Sequence, residues 1–421
     1  MFMIAWAAMS WAQEKYVGGD MSALQLYEDN DVAYYDRSNR VIPDVLQYVK
    51  SENVGWNSVR VRLFVNPSHL NGDGDYDPQV CQDLAYVTRF AERVKAEGMT
   101  LMLDFHYSDT WADPGNQWIP AAWAELTDDE LKDTIYHYTK QSLEALVAAN
   151  ATPDFIQIGN EISYGMLWSA EVNRSSSKNR CYTTSPEENW VRFRALLAQA
   201  SAACREVCPD AQIIIHSERS GRADVLIDFL SRLDSIDYDV IGLSYYPFWH
   251  NSLNVLSQTL TKLATSFPNK PVQIVETAYY YQWQPNVGEG IDYDFSSKWP
   301  ITPAGQAKYI QDLNKELLKH DNVNGLYWWF PEENGNGPDN SVMQGWINRG
   351  LWDNDNHKAL AGLYQLKGFL GKETDLETIR EAAEGETMYY TILGQPLAQP
   401  VRGSVVIERN GTKVQKRVYA K

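Results

Sequence analysis

Eight short apolar runs alternate with longer stretches of helical periodicity in this chain, and this alternation limits the folds that it can adopt. The runs are Tyr16–Gly19, Ser58–Val65, Thr100–His106, Asp154–Asn160, Gln212–His216, Val240–Tyr246, Val272–Glu276 and Gly325–Trp329. Most are rich in Val, Ile and Leu without strict polar alternation, which is typical of strands buried on both faces. Apolar residues recur at i, i+3 and i+4 in the segments between them, such as Gln79–Glu97, Asp128–Ala149, Pro186–Val207 and Gly221–Leu233. Eight strand–helix units predict an α/β fold, a (β/α)8 TIM barrel rather than an open doubly wound sheet.

The barrel is expected to occupy residues 16–371 of the 421-residue chain and to close with a helix around Ala359–Leu370. An acidic linker or helix is predicted at 372–387. The composition then turns basic, and Ser404–Ile407, an Asn410-Gly411 turn and Val414–Tyr419 have the pattern of a β-hairpin. We therefore predict a small separate β module over 388–421. It resembles the C-terminal sorting modules of some secreted bacterial proteins, and a hairpin packed on the barrel is the alternative.

The first 15 residues are interpreted as the remnant of a signal peptide. Met1–Ala12 is an apolar run that is too short to span a bilayer and that ends in small residues before Gln13, Glu14 and Lys15. It lacks the positively charged start of a complete signal. We expect a secreted protein that is periplasmic, bound to the cell surface or released. No other apolar stretch approaches 18 residues, so no transmembrane segment is predicted.

The composition excludes several classes of partner. A formal net charge of −18 and a sequence pI of about 4.8 argue against nucleic acid and anionic membranes. The 15 Trp and 25 Tyr favour carbohydrate, because flat amphipathic rings suit sugar faces, although core packing also uses such rings. The four cysteines lack the spacing of a zinc site. Cys204 and Cys208 form either a disulfide or two buried thiols, and helix geometry favours the thiols.

Two glutamates stand at the ends of predicted strands. Glu161 follows the fourth strand and Glu276 ends the seventh. Chemistry in a TIM barrel takes place at the C-terminal ends of the strands, so this pair can face each other about 5–5.5 Å apart, as in a retaining glycosidase. Glu276 as the nucleophile must be ionised, and we expect Arg62 or Tyr246 to lower its pKa. Glu161 as the acid/base must stay protonated, which a less polar pocket and the nearby charge of Glu276 favour. Two unrelated surface carboxylates are the alternative.

Other strand ends supply candidate sugar-binding groups. Asn160 is expected to hydrogen-bond the sugar 2-hydroxyl. His106 ends the third strand and is interpreted as a substrate contact. Strand eight ends with two tryptophans, and alternation predicts that Trp328 forms a stacking floor for a sugar while Trp329 points into the barrel wall.

Five segments make the chain resemble a known family. They are 59–68, 103–115 (LDFHYSDTWADPG), 158–163 (IGNEIS), 240–251 and 274–281. They look like those of the arabinogalactan endo-β-1,4-galactanases, glycoside hydrolase family 53. The resemblance implies a clan GH-A barrel, a retaining mechanism and hydrolysis of internal β-1,4-galactosyl links in the type I arabinogalactan of pectin. It also implies that Glu161 is the acid/base and Glu276 the nucleophile. Residues on family motif positions that are expected to shape the subsites are Arg62, His106, Asp109, Trp111 and Tyr246.

Two segments depart from the family pattern. After strand eight the family tends to have a Trp-Glu-Pro-like segment, whereas this chain has 327–333, YWWFPEE, and then a Gly/Asn-rich loop. Tyr280 stands where a proline is usual. Both segments border the expected substrate groove, so they affect the number of subsites and the product length more than the type of bond.

No cofactor is expected for the chemistry, and calcium is weighed separately. Asp292, Asp294 and Glu289 follow strand seven, where bacterial relatives can hold calcium; a solvated acidic loop is the alternative. The run Asp73–Asp77 starts like a calcium loop but lacks its glycine and closing glutamate, which favours a turn. The polysaccharide is the expected partner, and we expect a monomer.

The favoured hypothesis is therefore an endo-acting galactanase. One alternative is a clan relative that cuts another β-1,4-glycan such as mannan or xylan. Another is a non-catalytic glycan-binding barrel, against which the presence of both carboxylates argues.

Overall fold

A computed structural model describes residues 14–169, 179–337 and 346–371, together with short stretches after residue 386 that are mainly β-strands. Eight parallel strands form a closed barrel. They are β1 (Tyr16–Asp20), β2 (Ser58–Leu63), β3 (Thr100–Phe105), β4 (Phe155–Ile158), β5 (Gln212–Ser217), β6 (Val240–Ser244), β7 (Val272–Thr277) and β8 (Val323–Trp329). Each strand pairs with its neighbour in sequence, and β1 pairs with both β2 and β8. The predicted (β/α)8 barrel is confirmed.

Helices connect the strands on the outside. In the described residues they are α1 (Leu24–Asp29), α2 (Val45–Lys50), α3 (Leu84–Ala96), α4 (Asp128–Ala148), α5 (Glu187–Val207), α6 (Ala223–Ser231), α7 (Pro247–His250), α8 (Leu253–Ser266) and α9 (Pro303–Leu317). The four helices predicted from periodicity correspond to α3, α4, α5 and α6. The start of α4 is fixed by a capping box, in which Thr127 and Glu130 satisfy each other's backbone N–H groups.

The segment after β8 differs from the prediction. A helix was expected around Ala359–Leu370, but the chain forms two 3-10 turns, Ala361–Tyr364 and Leu366–Leu370. Gly362 explains part of the difference. The backbone packs closely on α9 here, since a Cβ at this position would lie 2.8 Å from Oε1 of Gln306. Glycine also has a low helix propensity.

The barrel interior has an apolar lower part and a polar upper part. Side chains from six strands form a small apolar cluster that is separate from the main core between strands and helices: Met102, Phe155, Ile214, Val240, Val275 and Tyr327. Because successive side chains on a strand point to opposite faces, the next inward positions lie nearer the C-terminal ends. Those positions include Arg60, Asp104, Gln157 and His216, all buried. The apolar cluster therefore forms the interior floor of the barrel, beneath a polar layer.

The chain divides into two compact units, Met1–Lys372 and Glu373–Lys421. In the second unit a four-stranded antiparallel sheet contains β9 (Thr387–Thr391), β10 (Pro396–Leu397), β11 (Val405–Asn410) and β12 (Lys413–Val418), in the order β10-β9-β11-β12. The predicted hairpin corresponds to β11 and β12, and β9 and β10 extend it to a sheet.

Two predictions concern residues that the structure does not describe. The proposed signal peptide falls largely on residues 1–13, and the acidic segment falls on 372–386; both lie outside the described part. All four cysteines are free thiols, including Cys204 and Cys208. In the part of the chain that the structure describes, no helix is long and apolar enough to cross a membrane.

Candidate active site

A cavity of about 500 Å³ opens at the C-terminal ends of the barrel strands. Its wall combines carboxylates, amides and aromatic rings. The lining side chains include His106, Trp111, Asp113, Asn160, Glu161, Glu218, Tyr246, Trp249, His250, Glu276, Trp329 and Trp346. Both glutamates predicted from strand ends therefore face the same cavity.

The backbone adopts two irregular conformations to bring these carboxylates together. Glu161 lies three residues after β4 and has a left-handed conformation, with φ of 48°. In β7 the pairing register shifts on both sides near Val275 and Glu276. Such a bulge lets two consecutive side chains face the same side. Val275 thus joins the interior floor while Glu276 reaches the cavity.

The two carboxylates share one hydroxyl group. Ser244 Oγ lies 2.5 Å from Glu161 Oε1 and 3.3 Å from Glu276 Oε2. Two atoms at these distances from a third cannot be more than about 6 Å apart. Glu161 is 9% exposed and Glu276 is 5% exposed, so both are nearly removed from water.

Glu276 is held by two further donors. The Tyr246 hydroxyl donates to Oε2 over 2.9 Å, and Arg60 Nη2 lies 3.0 Å from Oε1. The prediction named Tyr246 correctly but was wrong in naming Arg62. Both arginines point inward, but Arg62 contacts Asp20 at 3.1 Å and its guanidinium lies over the Trp111 ring at 4.4 Å from the centroid.

The electrostatics separate the two carboxyl groups. Burial raises the pKa of Glu161 well above its usual value, and the charge of Glu276 raises it further. Burial also raises the pKa of Glu276, although the Tyr246 hydroxyl acts in the expected direction and lowers it. Arg60 and the Tyr246 hydroxyl oppose that rise at Glu276. Arg60 and the Tyr246 hydroxyl thus favour the ionised form of Glu276, whereas the charge of Glu276 favours the protonated form of Glu161.

Arg60 lies at the centre of the polar layer. Its Nη1 is 2.7 Å from Asp20, and its Nη2 is 2.8 Å from both Asp104 and the amide oxygen of Asn160. The guanidinium is fully buried and is shared with Glu276. Arg60, Asp20 and Asp104 were not among the site residues predicted from the sequence. Charged residues inside otherwise apolar strands were the available signal, because a buried charge requires partners.

Asn160 and His106 line the cavity but are already held by the protein. Asn160 donates from Nδ2 to the Ala112 carbonyl over 2.7 Å. His106 Nδ1 accepts from the Ala112 N–H over 3.0 Å, and its Nε2 lies 3.1 Å from Asp104. The acceptor role of Nδ1 assigns the ring proton to Nε2. Both side chains are therefore fixed in position before any ligand binds.

Aromatic rings form one wall of the cavity, and they include Trp329 rather than Trp328. Trp328 is fully buried, donates from its indole N–H to the Arg349 carbonyl, and packs near Tyr309 on α9. The predicted stacking floor was therefore assigned to the wrong member of the pair. Tyr327 joins the interior floor, so alternation turns Trp328 outward and Trp329 inward. The Trp329 and Trp346 ring centroids are 4.3 Å apart.

The remaining predicted site residues differ in their positions. Trp111 lines the cavity and donates from its indole N–H to Asp77 over 2.7 Å. Asp109 does not line it. Its carboxylate accepts from the Ala121 N–H over 2.8 Å and stabilises the loop after β3. Asp109 therefore acts on the shape of the site indirectly.

The predicted calcium ligands do not form a metal-binding group. Asp292 and Asp294 are exposed, and Asp294 accepts hydrogen bonds from Gln284 and from the Ser296 N–H. Across residues 14–169, 179–337 and 346–371, no three His, Cys, Asp or Glu side chains are grouped to hold a metal ion. These residues do not fit a calcium ion.

Ser244, His216, Glu218 and Trp346 were missed by the sequence analysis. Ser244 and His216 belong to runs that were identified as strands, but short polar residues in buried strands resemble ordinary packing. Trp346 lies 17 residues after the end of β8, and no strand-end position along the chain pointed to it. Glu218 immediately follows β5. Its position at a strand end is the same signal that identified Glu161 and Glu276, so it was predictable.

Comparisons with known proteins agree with this architecture. The family model described as Glycosyl hydrolase family 53 matches residues 16–366. The chain is 30% identical to the endo-beta-1,4-galactanase of Bacillus subtilis, over 80% of this chain and 73% of that protein. It is 33% identical to the arabinogalactan endo-beta-1,4-galactanase of Cellvibrio japonicus, over 75% of this chain and 80% of that protein. Among solved structures, the Ignisphaera aggregans GH53 catalytic domain matches with a TM-score of 0.72 and 30% identity, covering 85% of this chain and 96% of that one.

Proposed function

The chain belongs to glycosyl hydrolase family 53, and from this premise we propose that it is an endo-β-1,4-galactanase that cleaves with retention of configuration. In this proposal Glu161 is the acid/base, Glu276 is the nucleophile, and type I arabinogalactan is the substrate. The names of the curated relatives support the substrate, and the cavity supports the mechanism.

The observation that carries the mechanism is the hydroxyl shared by the two carboxylates. Ser244 Oγ holds Glu161 and Glu276 oxygens within about 6 Å of each other. Retaining enzymes have carboxyl groups about 5–5.5 Å apart, whereas inverting enzymes leave about 6.5–9.5 Å for a water molecule. The short separation favours direct attack by one carboxylate on the sugar.

In the first step, Glu276 attacks the anomeric carbon while Glu161 gives its proton to the departing oxygen. The bond to the leaving sugar breaks, and an ester between the galactosyl unit and Glu276 forms. Esterification removes the negative charge of Glu276, which is one cause of the raised pKa of Glu161. Glu161 then becomes a stronger acid, and its ionised form can take a proton from the water that hydrolyses the ester.

The aromatic wall supports a pyranose substrate. The C–H groups at C3, C4 and C5 of galactose lie on one face of the ring, and that face can stack on an indole. Trp329 and Trp346 offer such surfaces in the cavity that Glu276 also lines. Arg60, Asn160 and His106 are held in place by protein contacts, which lowers the ordering cost of binding.

Glycoside hydrolysis by such a carboxylate pair requires no cofactor. A galactan polymer does not cross a membrane, so the proposal includes action outside the cell membrane, in the periplasm, at the cell surface or in the medium. The signal peptide interpretation of residues 1–15 and the monomeric state belong to the same proposal.

The test uses linear β-1,4-galactan with mannan and xylan as comparison substrates. The wild-type protein should release mid-sized oligosaccharides from galactan early and should leave the other polymers largely intact. Glu276→Gln and Glu161→Gln should each lower kcat on galactan by at least about 10³-fold, while galactan binding is retained. Glu289→Gln, on the exposed loop after β7, is the matched control and should leave turnover unchanged.

Proton NMR of the first products tests the stereochemistry. Initial β-anomers are expected. Initial α-anomers would contradict the assignment of Glu276 as the nucleophile. Binding of galactan without release of oligosaccharides would instead favour a non-catalytic binding protein, and preference for mannan or xylan would favour a clan relative.

A further inference from the structure

Ser244 ends β6 and is fully buried, and its hydroxyl contacts more than the two carboxylates. His216 Nε2, at the inner face of β5, lies 2.9 Å from Ser244 Oγ. His216 is also fully buried. One hydroxyl group therefore has three partners, two acidic and one basic, within a region that excludes bulk water.

The position of the imidazole proton follows from the other ring nitrogen. The backbone N–H of Glu161 lies 3.2 Å from His216 Nδ1, and an N–H can only donate. The Asn160 amide oxygen is also 3.0 Å from Nδ1, but it already accepts from Arg60 over 2.8 Å. Burial, with Arg60 nearby, holds the pKa of His216 well below its usual value, so the ring is neutral. A neutral ring that accepts at Nδ1 carries its proton on Nε2 and donates it to Ser244 Oγ.

This assignment restricts what Ser244 can do. A hydroxyl has one proton and two lone pairs, and His216 uses one lone pair. When Glu161 is protonated, its O–H can donate to the second lone pair, and Ser244 donates its own proton to Glu276. When Glu276 is esterified and Glu161 is ionised, Ser244 can instead turn its proton to Glu161. Each arrangement gives the serine hydroxyl one acceptor for its proton and a donor at each lone pair that the arrangement uses.

We propose that Ser244, oriented by His216, is a positioning residue whose hydroxyl proton faces Glu276 in the first step and Glu161 in the second. Only a rotation about the Cβ–Oγ bond is required, and the serine proton is not transferred. The hydroxyl stabilises whichever carboxylate is ionised. This inference rests on the proposed function, because it assumes that the two glutamates exchange roles during turnover.

The charged and titratable surroundings stay the same when the serine is changed. The groups that face the pair from neighbouring strands and loops are Asp20, Arg60, Asp104, His106, Asp113, His216, Glu218, Tyr246 and His250. The hydrogen bond from Ser244 lowers the pKa of Glu161. A donor to Glu276 Oε2 also favours the ionised form of that group. In the first step Ser244 donates to Glu276 only, so loss of the hydroxyl should raise the pKa of Glu276.

The experiment measures kcat and kcat/KM of the full-length protein against pH, on galactan and on an aryl β-galactobioside with a good leaving group. Ser244→Ala should lower kcat about tenfold and move the acidic limb of the pH profile upward by roughly half a unit to one unit. KM should change little. The aryl substrate does not need acid assistance, so a loss of kcat there reports the second step, in which Glu161 acts as the base.

Ser217→Ala is the matched control, because Ser217 is equally buried at the end of β5 and its hydroxyl accepts only from the Arg219 N–H among the contacts of the described residues. It should leave both limbs in place. Ser244→Cys keeps a side chain of similar shape, but its thiol is a weak hydrogen-bond donor. Its pH profile should therefore shift in the same direction as that of Ser244→Ala. It also serves if the alanine variant does not fold.

The inference would be overturned if the pH profiles of Ser244→Ala and Ser244→Cys coincided with that of the wild type. An equal shift in the pH profile of Ser217→Ala would also overturn it. A lower kcat without any shift would do the same, because it would indicate a purely structural effect. Failure of the proposed function would look different: the wild-type protein would not cleave galactan, or the two glutamate variants would stay active.

Discussion

At the scale of single residues, the site depends on how one guanidinium and one phenol divide the charge around Glu276. Arg60 is shared by Asp20, Asp104 and Glu276, so each carboxylate receives only part of its compensation. The Tyr246 hydroxyl is a donor to Glu276 alone among these acids. Removing the Tyr246 hydroxyl should therefore act on Glu276 more selectively than a change at Arg60.

Tyr246→Phe should lower kcat/KM on galactan about tenfold, because a hydrogen bond to a charged group is lost. The Tyr246 hydroxyl lowers the pKa of Glu276, so its removal raises that pKa and moves the acidic limb of the pH profile to higher pH. The alkaline limb should move less. Tyr245→Phe is the control, because the buried Tyr245 hydroxyl donates to the Asn251 carbonyl and contacts neither carboxylate. An acidic limb that stays in place would contradict this account of the charge distribution.

Sequence reasoning placed some of these residues and missed others for a physical reason. Glu161, Glu276, Asn160 and Tyr246 stand at strand ends, where position along the chain predicts position at the barrel mouth. Arg60 lies inside a strand, and its reach to Glu276 depends on a long side chain crossing the interior. Strand alternation correctly predicted that the two tryptophans face opposite sides of β8. It did not predict which of them faces the barrel interior, because no local sequence feature determines this.

At the scale of elements, the barrel closes where β1 meets β2 and β8. Gly18 and Gly19 lie in β1, and Gly18 pairs with Ser58 of β2. A Cβ on Gly18 would lie 1.8 Å from the Ser58 carbonyl oxygen, and that atom is part of the backbone. The seam therefore tolerates no side chain at this position.

Gly18→Ala should prevent folding or lower the melting temperature by more than about 10 °C, since the backbone of two strands must separate. Gly98→Ala is the control. It has φ of 66° but nothing within 4 Å of an added Cβ, so it should cost only about 1–2 kcal/mol for the left-handed conformation. Equal melting temperatures for the two variants would contradict the view that space, rather than φ, limits the seam.

The elements themselves were largely predictable. All eight barrel strands overlap the predicted runs because burial on both faces leaves a continuous apolar signature. The two 3-10 turns around Ala359–Leu370 were not predictable, because such turns and an α-helix share similar short-range apolar spacing. The bulge at Glu276 was also invisible, since it depends on the registers of two neighbouring strands.

At the scale of the whole molecule, the cavity belongs to the barrel. Among the residues that the structure describes, those that line the cavity lie between Asn71 and Trp346, within the first compact unit. The second unit, from Glu373, forms a sheet of its own. Turnover and the second unit should therefore be separable.

Deletion of residues 373–421 should leave kcat and KM on galactan within about twofold of the full-length values. Circular dichroism should show a barrel that unfolds at nearly the same temperature. The Glu276→Gln form of the shortened protein controls for contaminating activity. A shortened protein that is folded but at least tenfold slower would contradict this independence.

The interior floor of the barrel has a practical consequence for anyone who wishes to engineer this protein. Met102, Phe155, Ile214, Val240, Val275 and Tyr327 pack together as a cluster of their own, separate from the main core. Libraries that conserve total volume at the floor positions other than Val275 can be screened for heat tolerance alone, with activity left as a later filter. Val275 should be excluded, because it shares a backbone bulge with Glu276 and links the floor to the chemistry.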